Sequence, residues 1–418
     1  MANPATNGPR PSETTVSSPS RGWITALVLF WLTSVVEALG VSQVFAFMPI
    51  YLQQMGLPEQ DLPHWVGLLS SLTFVLGLPL VPLWGVWADK YSRKAIIIRS
   101  AVVEAAVFGL VALSRQPWQL AGSLLLVGFQ LGNTGVMLSA LRDLAPRGRL
   151  GTAIAIFGSS SPVGFAIGPS IGGMMVDGLH TSISTVYVLS AGLSLGTAIM
   201  LAVGFREVRP KVVPGGRVLS LAYGAIRGVF TDHTTRFLFT LFGMAFLARQ
   251  MSSPFLPILV DHLHGSQGGL ASAVALVVGT AALAGGLIST TAGIIGDRVG
   301  FRPVLAVSLL LAGLALALMP MAPSVPALAV TNVAYAALNA AVTAMIFGLL
   351  AMELPPDRAS ATLNLIYLPL YISGIIGPSI GALMSTAGLP AVFMLSGLVL
   401  NLGGLFVIAR SRRRSGYK

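Results

Sequence analysis

The chain has 418 residues, of which 54% are hydrophobic and only 9% charged, with a formal net charge of +11 and no cysteine. So little polar surface cannot coat a soluble globule of this size, and a chain without cysteine has neither disulfides nor thiolate metal sites. The basic excess raises nucleic acid as a partner, but the placement of those residues argues against it.

Residues 1–22 hold Pro, Ser and Thr but no apolar core, which reads as a disordered tail and not as a cleavable signal. Twelve apolar stretches follow, at about 23–49, 64–87, 95–113, 118–139, 151–176, 184–205, 236–260, 269–295, 303–321, 325–351, 360–386 and 389–409. Each is near the roughly 20 residues that a helix needs to cross the hydrocarbon core. Runs of this length without period-2 alternation predict helices, one of the two backbone arrangements that satisfy themselves in lipid. The expected fold is therefore an all-α integral membrane protein of twelve helices, numbered here in chain order. Helices 1–6 form an N-terminal half at 23–205, and helices 7–12 form a C-terminal half at 236–409. The linker between them, 206–235, is basic and carries Pro210, Pro214 and a Gly215-Gly216 pair. A short amphipathic piece around Leu219–Phe230 either lies along the membrane surface or is a plain tether. Residues 410–418 form a basic tail.

Of the 25 Lys and Arg residues, 22 fall on one side of this topology: in the tails, in the linker, and after helices 2, 4, 8 and 10. By the positive-inside rule both termini are cytoplasmic, in a membrane of the bacterial inner-membrane type. The charge is a topology signal, and no nucleic-acid partner is expected.

The two halves repeat one another. Gly164-x-x-x-Gly168-Pro169-Ser170-Ile171-Gly172 returns as Gly374-x-x-Gly377-Pro378-Ser379-Ile380-Gly381, with the Gly-Pro pairs 209 positions apart. Gly85-x-x-x-Asp89-Lys90-x-x-Arg93 is echoed by Gly293-x-x-x-Asp297-Arg298-x-x-x-Arg302 at an Asp-to-Asp offset of 208, and Asp143-x-x-Pro146 by Glu353-x-x-Pro356 at 210. Internal repeats among membrane helices mark secondary transporters, with the working site between the halves.

From Trp23 to Arg410 the chain resembles the major facilitator superfamily, and within it the twelve-helix drug/proton antiporters of the multidrug efflux type. The stretch Gly85 to Lys94 is similar to the superfamily's loop 2–3 signature, with Ser92 where glycine is usual. The stretch Gly164 to Gly173 is similar to the helix 5 motif of its antiporters. The resemblance implies two pseudo-symmetric six-helix halves around a central cavity, a small-molecule substrate, protons as the coupling ion, and a monomer that works without a cofactor.

Physical reasons accompany each motif. Gly85 allows close helix packing, and the Asp89 carboxylate can cap the start of helix 3 and pair with Arg93. The acidic residue that the family carries at the end of helix 4 is matched by Asp143. Asp89, Arg93 and Asp143 thus read as a latch holding an outward-open state, with Asp297, Arg302 and Glu353 as its weaker echo. The bland alternative is an ion pair that only fixes topology. In helix 5, Gly164, Gly168 and Gly172 form one smooth face and Pro169 removes a backbone bond, which suits a hinge between rocking halves; Gly377, Pro378 and Gly381 repeat it in helix 11.

Three charges lie near the middles of their helices: Glu37 in helix 1, Glu104 in helix 3 and Arg249 in helix 7. A charge at mid-bilayer costs about 2.5–3.5 kcal/mol, so it faces a cavity or a partner. Helices 1 and 7 line the cavity of the resembled fold, so Glu37 and Arg249 are expected to meet across it, either to couple protons or as a permanent pair. Glu104 reads as a buried packing carboxyl and the next proton-coupling candidate. Arg99 is expected to snorkel to the cytoplasmic surface. One departure weakens the proton expectation: the arginine that many family members carry three residues before a helix 4 Gln-x-Gly is here Val127, ahead of Gln130-Leu131-Gly132.

The expected cavity lining is Gln43, Phe47, Gln130, Asn133, Gln250, Asn332, Asn339, Tyr367 and Tyr371. This apolar and aromatic set with scattered amides suits lipophilic, neutral or cationic compounds. No metal site and no phosphate-binding loop is expected, and no nucleophile–base pair argues for an enzyme. The leading expectation is a proton-coupled exporter of small lipophilic compounds. Uptake or facilitated diffusion of a metabolite such as a sugar, and lipid translocation, are the alternatives.

Overall fold

The computed structural model describes residues 22–209, 215–223, 233–353 and 368–415, and the expected N-terminal tail therefore lies outside the described residues. Twelve helical segments follow the apolar stretches. In the N-terminal half they are α1 (Gly22–Gln54), α2 (Glu59–Lys90), α3 (Arg93–Leu113), α4 (Pro117–Leu144), α5 (Leu150–Gly178) and α6 (Ile183–Gly204). In the C-terminal half, α7 runs through His233–Ser252 and Leu256–His264, joined by a 3-10 turn at Ser253–Phe255. The rest are α8 (Leu270–Val299), α9 (Phe301–Leu318), α10 (Val325–Glu353), α11 (Leu368–Ser385) and α12 (Leu389–Ser415). By length and composition, 11 of the described helices can cross a bilayer. The exception is α7, which Arg236, Arg249 and Asp261 make more polar and Pro254 interrupts.

Among the described residues, three helices besides α7 are broken within the apolar stretches. Helix α2 divides between Val75 and Gly77, and α5 between Gly158 and Ser160. Helix α4 narrows to a 3-10 turn at Leu126–Phe129, and Gly132, at φ +97°, takes a left-handed conformation before the helix restarts at Asn133. Left-handed backbone is open to glycine at little cost, so Gly132 is what permits this restart. Gly128 presses backbone-to-backbone on the break in α2: a Cβ there would stand 2.6 Å from the Gly77 nitrogen.

The glycine stripes pack within each half. A Cβ at Gly164 or Gly168 would overlap α1 at Val35, Ala38, Leu39 and Ser42, and one at Gly172 would overlap the Phe47 ring. In the second half, Gly377 sits on Gln250 and Met251, and Gly381 on the Phe255 ring. Phe47 with Gly172 and Phe255 with Gly381 are one contact built twice. Gly164, Gly168 and Gly172 therefore bind α5 to α1, and Gly377 and Gly381 bind α11 to α7, while Pro378 and Gly374 of α11 face the opposite half at Gly67 and Phe74.

The halves meet along two other seams. On one, α5 packs against α8, where a Cβ at Gly173 would lie 3.0 Å from the Ala271 carbonyl and one at Gly286 2.8 Å from Pro162. On the other, α2 packs against α11, with Ser71 Oγ donating to the Ile375 carbonyl at 2.8 Å and Tyr371 beside Gly77 and Phe74. Both seams begin at the end opposite the basic residues. There Gln53 Nε2 donates to Asp261 Oδ2 at 2.8 Å, and Asp177 Oδ2 accepts from the Ser272 backbone at 2.6 Å, at the start of α8. Toward the basic end these contacts stop among the described residues. Gly85 there is exposed, with no described atom within 4 Å of a Cβ. Among the described residues, the halves meet at the end opposite the basic residues and make no such contact at the basic end.

Candidate functional site

Between the halves the site has two unlike walls. The N-terminal wall is built on the break in α4. Because the helix restarts at Asn133, that amide points at α1, where Asn133 Nδ2 donates to Glu37 Oε2 at 2.8 Å and Gln130 Nε2 reaches Glu37 Oε1 at 3.4 Å. Both amides are buried, and Glu37 is half-buried. Glu104 on α3 is 1% exposed, lies within electrostatic reach of Glu37, and has an Oε1 with no partner among the described residues.

Arg99 supports this wall, contrary to the snorkelling expectation. Its guanidinium lies 3.9 Å over the Trp84 ring, and Nη2 donates to the Leu131 carbonyl at 3.2 Å, with Gln130 O at 3.4 Å. These carbonyls are exposed by the break in α4, and a cation meets them favourably, as at any helix end. A guanidinium thus stands beside Gln130 although position 127 is valine. The sequence signal was available: an arginine inside one apolar stretch and a Gln-x-Gly inside the next.

The C-terminal wall carries the opposite charge. Arg249 is exposed on α7 and lines a pocket with Phe242, Ala245 and Phe246 of its own helix and Asn339 and Thr343 of α10. Glu37 and Arg249 do not pair: among the described residues the carboxylate is held by Asn133 and Gln130, and the ion pairs are those of Arg93. The expected crossing fails because the α4 amides reach Glu37 from its own half.

Several expected lining residues are turned into helix seams. Gln43 is fully buried, donates to the Gly168 carbonyl at 2.9 Å and accepts from Ser190 Oγ at 2.5 Å, tying α1 to α5 and α6. Phe47 is equally buried under Gly172. Asn332 is buried and donates to the Val277 carbonyl at 2.9 Å, joining α10 to α8. Gln250 packs on Gly377, and Tyr371 belongs to the α2–α11 seam. Tyr367 lies outside the described residues. Of the nine, Gln130, Asn133 and Asn339 stand at the walls.

At the basic end, Arg93 is 2% exposed and bridges Asp89 at 2.8 Å and Asp143 at 2.6 Å. All three belong to the N-terminal half, and the cluster is formed while the opposite end of the molecule is closed. The cap of α3 is not Asp89. Ser92 Oγ accepts from Ala95 N at 3.0 Å, and Glu207, beyond α6, accepts from Arg93 N at 3.0 Å. In the second half, Asp297 is exposed and forms no ion pair among the described residues; the Glu353 side chain lies outside them.

The comparisons agree with this architecture. The family model of the Major Facilitator Superfamily matches residues 30–245 and 238–418. Multidrug resistance protein MdtG of Salmonella paratyphi A is 26% identical over 400 residues, covering 94% of this chain and 96% of that protein. MdtG of Dickeya zeae is 26% identical over 403 residues, with the same coverage of 94% and 96%. A solved bacterial homologue of the human lysosomal transporter Spinster, inward-facing and occupied, has a TM-score of 0.78 at 16% identity, covering 95% of this chain and 98% of that one. The nucleoside transporter NupG has a TM-score of 0.75 at 15% identity, covering 93% and 99%. Repeat, seams and family match converge: the chain belongs to the Major Facilitator Superfamily and is a membrane transporter, not an enzyme.

Proposed function

We propose that this transporter exports small lipophilic compounds by alternating access in exchange for protons, with Glu37 as the group that takes up and releases the proton. The carrying observation is the Glu37 carboxylate, near the middle of α1, held by the Asn133 and Gln130 amides with no cation paired to it among the described residues. An amide can donate to a carboxylate and accept from a carboxylic acid, so both protonation states find a partner there. A carboxyl at this depth facing a cavity suits ion coupling. The apolar walls suit lipophilic substrates, with the carboxylate free to meet a positive charge. Export is favoured by the names of the relatives above. With the basic end taken as cytoplasmic, the end where the described residues of the two halves make no contact is the one from which a drug would load.

The test is substrate-induced proton release from detergent-solubilised protein in weak buffer. Wild type should release protons when substrate binds, and Glu37→Gln should bind a neutral substrate without release and lose uphill export. Equal release from the two proteins would remove Glu37 from the mechanism and make Glu104 the next carboxyl to substitute.

A further inference from the structure

The C-terminal wall has a charge that the exporter reading does not use. Arg249 sits near the middle of α7, exposed in a pocket with Asn339 and Thr343 of α10, and no carboxylate pairs with it among the described residues. A guanidinium at that depth is costly unless something neutralises it. Beside it is a second unmet group. Tyr335 on α10 is only 8% exposed, its hydroxyl has no hydrogen-bond partner among the described residues, and Arg249 lies within electrostatic reach of it. Buried hydroxyls are nearly always bonded, so an orphan next to a free cation points to a missing acceptor. Asn339, one turn beyond Tyr335 on the same face of α10, lines the pocket with Arg249. The floor is aromatic: Phe242 stands edge-on to Phe246 with centroids 4.4 Å apart, and to Phe347 at 5.7 Å.

We propose that this wall is a binding subsite for lipophilic organic carboxylates, the carboxylate seated on Arg249 and the Tyr335 hydroxyl and the hydrocarbon body against the phenylalanine rings. A guanidinium presents planar paired donors that match a carboxylate, and charge-assisted bonds of this kind are about twice as strong as neutral ones. A phenol can add a third donor but gives nothing to a ligand that lacks an acceptor. The two walls then divide the substrates by charge: the Glu37 wall receives cations and the Arg249 wall receives anions. The inference rests on the exporter reading for the cavity being a substrate site.

The experiment measures calorimetric binding of 1-naphthaleneacetate and of 1-naphthaleneacetamide, equal in body and different in charge, to the purified full-length protein at pH 8. Wild type should bind the acetate about tenfold more tightly than the amide, a preference of about 1.4 kcal/mol. Arg249→Gln should erase that preference and leave the amide within about twofold, whereas Arg249→Lys should restore part of it. Tyr335→Phe should weaken the acetate alone, by about threefold to tenfold, as loss of one hydrogen bond to a charged group does. Equal binding of the two compounds by wild type, no binding of either, or an equal loss of both in Arg249→Gln overturns the subsite. Transport by proteoliposomes separates this failure from the other. If naphthylmethylammonium or the amide is moved against proton flux while the acetate is not preferred, export stands and the subsite falls. If none of the three compounds is moved, the exporter reading falls as well.

Discussion

The two halves are alike in their packing and unlike in their chemistry. Phe47 on Gly172 and Phe255 on Gly381 are the same contact 208 and 209 positions apart, and each fixes a lining helix to its glycine-striped neighbour. Carrying the 208-residue offset along the same helices sets Glu37 opposite Ala245, and Arg249 opposite Val41. Neither charge has a counterpart. A repeated feature serves the shape that both halves must have to rock against each other. An unrepeated one has no such duty, so the singular charges are where substrate and proton chemistry is to be sought. Every prediction below is a pair of substitutions, one in each half, that breaks or sharpens this contrast.

The largest expected difference is at the basic end. Arg93 is buried between two carboxylates, and Arg93→Ala strands both, which costs about 3–5 kcal/mol for a buried pair. The partial exposure of Asp89 and Asp143 draws the cost toward the low end. Asp297→Ala, at the exposed carboxylate that repeats Asp89 and forms no ion pair among the described residues, should cost well under half as much. Thermal unfolding of the two purified variants checks this, and equal losses would mean that the second cluster is as tightly built as the first.

The glycine stripes should behave in the opposite way, with matching effects. A valine at Gly168 drives a branched side chain into Leu39 and Ser42, and one at Gly377 into Gln250 and Met251. Overpacking costs about 1–3 kcal/mol at each site, and both variants should lose thermal stability and transport together. A variant that kept its stability and lost transport alone would return the stripe to a hinge role. This also shows what the sequence disclosed. Twelve helices, their order and the repeat were legible, because runs of about 20 apolar residues and equal spacing survive any rotation of a helix about its axis. That rotation itself was not legible. Gln43, Phe47 and Asn332 lie on helices that flank the cavity, yet each is turned into a seam by a glycine or a carbonyl on a distant helix. The Glu37 site needed a helix break at Gly132, and Arg99 found its place only because that break freed two carbonyls.

A smaller pair lies at the closed end, where each half offers one carboxylate to the other. Asp177 accepts from the Ser272 backbone and Asp261 from Gln53. Asp177→Ala and Asp261→Ala each remove one charge-assisted bond between halves, about 1.5 kcal/mol, and should each raise the population open at that end by about tenfold. The chain has no native cysteine, so single cysteines placed on the closed-end wall report opening by their labelling rate. Opening by one variant and not by the other would show that a single clasp holds this end.

The smallest effect distinguishes the starts of α3 and α9, where position 92 of one half corresponds to position 300 of the other. Ser92 is extended, with φ −160°, and its hydroxyl caps Ala95 N; Gly300 has φ +101° and caps nothing with a side chain. Ser92→Gly should therefore cost only a few tenths of a kcal/mol, since glycine is a tolerable N-cap. Glu207 remains in that variant to accept from the backbone of Arg93. Gly300→Ser asks a side chain to adopt positive-φ, extended backbone that only glycine takes readily, and should cost about 1 kcal/mol or more. Thermal unfolding of both variants reads this asymmetry, and it is a strict test of the repeat. If the halves shared their loop chemistry as they share their glycine seams, the two exchanges would cost the same. Unequal costs, with the serine tolerated as glycine and the glycine intolerant of serine, would mean that the halves diverged first at their charged ends while their packed faces stayed alike.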